Sequence, residues 1–157
     1  MASVALQVCI AYFVVSWLES CVLSWQCLTR PIVVAPLAGL IMGDFRTGII
    51  MGAALESIFM GISAIGGSVP ADACTSSIIA VAFTILTGSS VEEGLAIAMP
   101  IGTVMASLSG LLTPLWAGLA AYWEKLAMEC NPKKFLTTNL LVSLVSGGLV
   151  STIILFF

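Results

Sequence analysis

RPIVVAPLAGLIMGDFRTGIIMGAALE, residues 30–56, is the stretch whose reading decides the fold. Its first half, Pro31 to Gly43, is uncharged and 13 residues long. As a helix it reaches about 20 Å, too short to cross a hydrocarbon core of ~30 Å. Asp44-Phe45-Arg46-Thr47 then forms the first clearly polar turn, and the following apolar run from Gly48 to Ile65 carries the single charge Glu56. Gly39/Gly43 and Gly48/Gly52 are small-residue pairs at i,i+4 on either side of the turn. In lipid such pairs let helix backbones approach closely, because packing drives association there. Two pictures fit: a tight helical hairpin tipped by Asp44–Thr47, or two re-entrant half-helices meeting inside the membrane.

Glu56 is the sharpest residue of the stretch. Gly48, Gly52 and Glu56 are spaced by four and share one helix face. The carboxylate therefore points where close packing is possible, away from lipid. An acid deep in a membrane helix costs roughly 2.5–3.5 kcal/mol and ordinarily faces a bundle interior or polar cavity. Glu56 is either a hydrogen-bond acceptor for substrate hydroxyls or a coupling ion, or a structural partner of Arg30 or Arg46.

Outward from this stretch the chain stays apolar. Of 157 residues, 60% are hydrophobic and 8% charged, where soluble domains carry about 25% charged residues. Five Lys/Arg and eight Asp/Glu cannot cover a water-soluble surface of this size, which excludes a soluble enzyme, a nucleic-acid binder and a disordered chain. The fold expected is all-α: one integral membrane domain over residues 1–157, a polytopic transmembrane bundle with short or re-entrant, Gly/Pro-interrupted segments. Val4 to Leu18 opens it and Glu19 ends that first run, with no basic region marking a removable signal peptide. Ala73 to Val91 reads as a minimal span, and Glu92-Glu93 as a loop. Gly94 to Trp123 reads as a helix kinked or broken at Pro100 and Pro114. Glu124 to Lys134 holds five charges and reads as a hydrophilic loop, placed in the cytoplasm by Lys125, Lys133 and Lys134. Phe135 to Phe157 is a final crossing.

Asp72 follows the helix-disfavouring Gly66–Ala71 break and precedes the Ala73 run, so it is an N-cap, a substrate group, or both. Asp44 with Arg46 reads as a turn tip near the interface. Trp17, Trp25, Trp116 and Trp123 lie near segment ends, where interfacial anchoring explains them better than sugar stacking. Cys9, Cys21, Cys27, Cys74 and Cys130 lack any C-x-x-C pair and read as small apolar residues in helices; no metal site or cofactor is expected. The 157 residues contain no histidine, so they hold no histidine base or phosphohistidine. No nucleophile–base pair can be assembled for a membrane enzyme either.

The 30–56 stretch, continued by Gly61, Ile65-Gly66, Pro70-Ala71-Asp72 and Ser77-Ile78-Ile79, resembles the membrane IIC component of the mannose–fructose–sorbose type sugar phosphotransferase system. The resemblance covers about residues 5–120 and is most specific over 30–79. It implies a permease subunit of the bacterial cytoplasmic membrane, not catalytic alone, forming an oligomeric complex with a IID membrane subunit. A hexose or amino sugar, of the mannose/fructose/sorbose or N-acetylgalactosamine type, would be phosphorylated by partner IIA and IIB proteins. The sugar site it implies falls on Glu56, Asp72, Asp44 and Gln26, since carboxylates and amides accept hydrogen bonds from hydroxyls. Gln26 stands four residues before Arg30, where the family places a glutamine three before. Family members continue for several segments past the point matching Phe157, so a C-terminally shortened subunit is expected. The residues alone also allow an ion-coupled transporter or channel using Glu56, or a non-transporting remnant.

Overall fold

The computed structural model describes residues 2–19, 28–62 and 70–156; Gln26 and most of the Gly66–Ala71 break lie outside them. Among the described residues there are only helices: α1 (Ala2–Leu18), α2 (Pro31–Met42), α3 (Phe45–Phe59), α4 (Ala73–Thr87), α5 (Val91–Gly118), α6 (Ala120–Met128) and α7 (Pro132–Phe156).

The deciding stretch folds into an antiparallel hairpin of α2 and α3. Pro31 starts α2 at a position where its missing N–H costs nothing, and Gly43 ends it in the left-handed conformation at φ +88°. Asp44 caps α3 by accepting from the Thr47 backbone N–H (3.1 Å) and hydroxyl (2.6 Å). The polar turn is therefore shorter than the sequence suggests: Phe45, Arg46 and Thr47 already form the first turn of α3. The glycine pairs also divide their labour. A Cβ on Gly48 would stand 2.7 Å from the Ala35 carbonyl oxygen and 3.1 Å from the Gly39 Cα, so these backbones touch. Gly43 packs against nothing and serves only the turn. α2 and α3 form a hairpin, the element common to both pictures. Its arms of 12 and 15 residues span about 18 and 22 Å, the length expected of half-helices.

A second hairpin, α4 and α5, repeats the construction. Gly88, at φ +65°, ends α4. Ser90 caps α5 in a reciprocal box: its hydroxyl accepts from the Glu93 N–H, and the Glu93 carboxylate accepts from the Ser90 N–H. Gly94 stands four residues after this cap, as Gly48 does after Asp44, and packs on Thr84 of the preceding helix. Two expectations are corrected here. The Ala73–Val91 run breaks at Gly88, leaving 15 helical residues; Glu92 and Glu93 are in the first turn of α5. The capping residues outweigh the hydropathy of the run. Pro100 and Pro114 do not end α5, which continues for 28 residues to Gly118; its Val91–Leu115 portion is long and apolar enough to cross a membrane.

The 124–134 segment is also mostly helical. Its polar residues lie on α6 up to Met128, and only residues 129–131 turn before Asn131 caps α7 through the Lys134 N–H. Cys130 sits exposed in that turn at φ +50°, unlike the buried Cys9 and Cys74.

α4 is the central helix. It packs on α2, α3, α5 and α1, and its inward face buries Thr75, Ser76, Ser77 and Thr84. Ser77 and Thr84 return their hydroxyls to the carbonyls of Ala73 and Ala80, so these small polar residues are satisfied within their own helix. Met51, Leu55, Phe59 and Val81 fill the space between α2, α3 and α4. Leu40, Met60, Leu111, Leu115 and Leu141 point outward with 60–73% of their surface exposed. Small and polar residues inside with large apolar ones outside is the distribution lipid favours.

Candidate functional site

A cavity of about 540 Å³ opens where α2 and α4 both begin, within the range of about 300–1,000 Å³ common for small-molecule sites. Thr29, Arg30 and Pro31 form one wall; Asp72, Ala73 and Cys74 form another. Tyr12 of α1, Phe59 of α3 and Ser109 of α5 complete it. Arg30 and Asp72 occupy matching positions, each the residue before the first helical residue of its hairpin.

Glu56 meets Arg30 across the open end of the first hairpin, with Arg30 Nη1 3.2 Å from Glu56 Oε1. Its other oxygen accepts from the Ile32 backbone N–H at 3.4 Å. Arg30 cannot cap α2 with its own side chain, and Glu56 supplies the missing acceptor from the neighbouring helix. The pairing with Arg30, rather than Arg46, follows from the antiparallel register: Gly39 lies against Gly48 and Pro31 against Gly52, which carries Glu56 to the start of α2. Half of the Arg30 side chain remains exposed beside the cavity.

Asp72 caps α4, accepting from the Thr75 N–H at 3.1 Å and the Thr75 hydroxyl at 2.8 Å. Its backbone N–H is bound to the Gly102 carbonyl at 2.9 Å, which fixes the chain against α5 before the helix starts. A Cβ at Gly102 would stand 3.4 Å from the Ala71 Cβ and the Asp72 carbonyl oxygen, in van der Waals contact. Each carboxylate oxygen has a second lone pair, so the cap leaves acceptor capacity at the cavity wall.

The four expected site residues thus separate. Asp72 lines the cavity and Glu56 holds its Arg30. Asp44 uses the same D-x-x-T cap as Asp72, but at the opposite end of the hairpin, one length of α2 away. Gln26 lies outside the described residues.

One acid was missed. Glu19, read in sequence only as the end of an apolar run, is 6% exposed, and its Oε2 accepts from the Thr29 backbone N–H at 2.7 Å. A partner ten residues away along the chain leaves no periodic signal. Trp17 also departs from expectation: its indole nitrogen is buried with no hydrogen-bond partner among the described residues, whereas an interfacial anchor presents its N–H to water or headgroups. The side chains of Trp25 and Trp116 lie outside those described.

An all-α bundle with glycine-broken hairpins, apolar outside and with a cavity of mixed polar and apolar walls, is a membrane transport architecture. The chain belongs to the family of PTS system sorbose-specific IIC components, whose model matches residues 2–157. It is 31% identical over 105 residues to an Escherichia coli K12 protein provisionally named N-acetylgalactosamine permease IIC component 2, covering 67% of this chain and 77% of that one. It is 32% identical over 115 residues to the sorbose-specific EIIC component of Klebsiella pneumoniae, covering 71% of this chain and 41% of the relative. Among solved structures it is similar to a chain of the mannose transporter ManYZ in complex with microcin E492, at TM-score 0.82 and 25% identity, covering 99% of this chain and 62% of that one. The matched region is therefore well under the full length of the sorbose relative and of the solved transporter chain.

Proposed function

We propose that this chain is the sugar-binding and translocating IIC subunit of a phosphoenolpyruvate-dependent sugar phosphotransferase system, with its sugar site in the cavity between the starts of α2 and α4. The observation that carries the reading is the placement of Asp72 and the Glu56-held Arg30 around one cavity. A carboxylate and a guanidinium on facing walls accept from and donate to neighbouring hydroxyls, which suits a neutral polyol. Tyr12 and Phe59 add apolar ring surface for the C–H face of a pyranose. The Arg30 guanidinium already neutralises Glu56, which argues against Glu56 as a bare coupling-ion site.

The 157 residues hold no histidine, so the phosphoryl group reaches the sugar from partner IIA and IIB proteins and the chain is not catalytic alone. A IID subunit completes the membrane complex, and the site works as a multi-pass protein in the bacterial cytoplasmic membrane. Phosphoenolpyruvate-dependent uptake of mannose, sorbose and N-acetylgalactosamine, measured singly with IIA, IIB and IID partners supplied, tests this. The wild-type chain supports uptake of at least one sugar, and Glu56→Gln and Asp72→Asn reduce it. Undiminished uptake in both variants would remove the site assignment, and no uptake in any partner combination would identify a non-transporting remnant.

A further inference from the structure

We infer that Glu19 is a positioning residue of the cavity, acting through Thr29 to set where Arg30 and its partner Glu56 stand. Glu19 belongs to the last turn of the α1 segment, whereas Thr29 and Arg30 lead into α2. Its Oε2 accepts the Thr29 N–H at 2.7 Å, shorter than the Glu56 contacts of 3.2 and 3.4 Å. Three contacts therefore run in series: Glu19 to Thr29, then Arg30 to Glu56, then Glu56 back to the Ile32 N–H. The first lies behind the wall that Thr29 forms.

Glu19 is buried and, among the described residues, its Oε1 has no hydrogen-bond partner, an arrangement that costs stability and is uncommon where only packing is at stake. The contact joins the end of α1 to the chain that enters the cavity wall. Glu19 does not itself line the cavity, so its effect on a ligand is indirect.

The role at a sugar site rests on the function proposed above, and two readouts keep the inferences separate. Hydrogen exchange over residues 28–34 of the detergent-purified chain reads the tether without any ligand. In Glu19→Ala, exchange at Thr29 rises at least about tenfold; in Glu19→Gln, whose amide oxygen still accepts, it stays near wild type. Equal exchange in Glu19→Ala and wild type overturns the tether, whatever the sugar result. Binding of radiolabelled mannose, sorbose or N-acetylgalactosamine by the chain with its IID partner is the second readout. Glu19→Ala raises Kd by about three- to tenfold and Glu19→Gln restores it. Altered exchange with unaltered Kd overturns the positioning role. Absence of binding by wild type removes the sugar reading alone, and the exchange result still decides the tether.

Discussion

Arg30 and Glu56, 26 residues apart, close the open end of the α2–α3 hairpin through one 3.2 Å contact, with Arg30 half exposed and Glu56 16% exposed. Exposure of the guanidinium keeps this pair weak, worth under about 1 kcal/mol. Glu56 has the second task of accepting the Ile32 N–H, whereas Arg30 has none through its side chain.

The two halves of the pair therefore respond unequally to substitution. Arg30→Ala lowers stability by less than about 1 kcal/mol, and Glu56→Ala by about 1–2 kcal/mol because α2 also loses its cap. Glu56→Gln, which retains an acceptor, falls between them. Thermal unfolding midpoints of the purified protein in detergent order the three variants.

The hairpin depends on bare backbone at Gly39 and Gly48. A Cβ on Gly39 would lie 2.7 Å from the Asp44 carbonyl oxygen and 2.9 Å from the Gly48 Cα, with backbone on both sides unable to yield cheaply. Gly39→Ala and Gly48→Ala are each destabilising by about 1–3 kcal/mol or more. Gly110→Ala, in an exposed part of α5 with nothing within 4 Å, is neutral or stabilising by up to about 1 kcal/mol. Equal midpoints for the three variants would contradict the packing described.

Gly43 acts through conformation alone, since nothing lies within 4 Å of its would-be Cβ while φ is +88°. Gly43→Ala costs about 1–2 kcal/mol, and Gly43→Asn costs less because asparagine tolerates the left-handed region. The difference between the two midpoints isolates turn geometry from packing.

Asp72 can be dissected by the same logic. Asp72→Ala removes the α4 cap and costs about 1 kcal/mol, whereas asparagine caps as well as aspartate, so Asp72→Asn leaves the unfolding midpoint near wild type. A loss of sugar binding in Asp72→Asn at unchanged stability would then report the cavity, not the helix.

The sequence legibility of these features follows their physical range. Class was written in composition, because thirteen charged residues cannot clothe a soluble domain of 157. The α2 boundaries were legible from Pro31 and Gly43, whose backbone constraints are local. Glu56 was legible from its spacing with Gly48 and Gly52, although its partner needed the hairpin register to be chosen between Arg30 and Arg46. Hydropathy misled wherever a cap lay inside an apolar run: Gly88 and Ser90 split the Ala73–Val91 stretch, and Glu93, which looked like a loop charge, completes a capping box. Pro100 and Pro114 left a kinked and a broken helix open, and α5 continues through both. Asp72 was read as an N-cap or substrate group and Asp44 as a turn tip, yet both are D-x-x-T caps; the packing of α1, α3 and α5 around the start of α4 puts Asp72 at a cavity. Glu19 was missed because its contact with Thr29 lies ten residues along the chain, outside any helical period.

That contrast between two identical caps gives the most direct measurement of the central claim. Binding of the transported sugar is compared for Asp72→Asn and Asp44→Asn in the complex with the IID partner, with both variants checked for unchanged unfolding midpoints. Losing a hydrogen bond to a charged group weakens binding by roughly tenfold or more, so Asp72→Asn is expected to raise Kd by at least that factor, with Asp44→Asn within about twofold of wild type. Equal Kd values for the two variants, or loss in Asp44→Asn alone, would contradict a sugar site between the starts of α2 and α4.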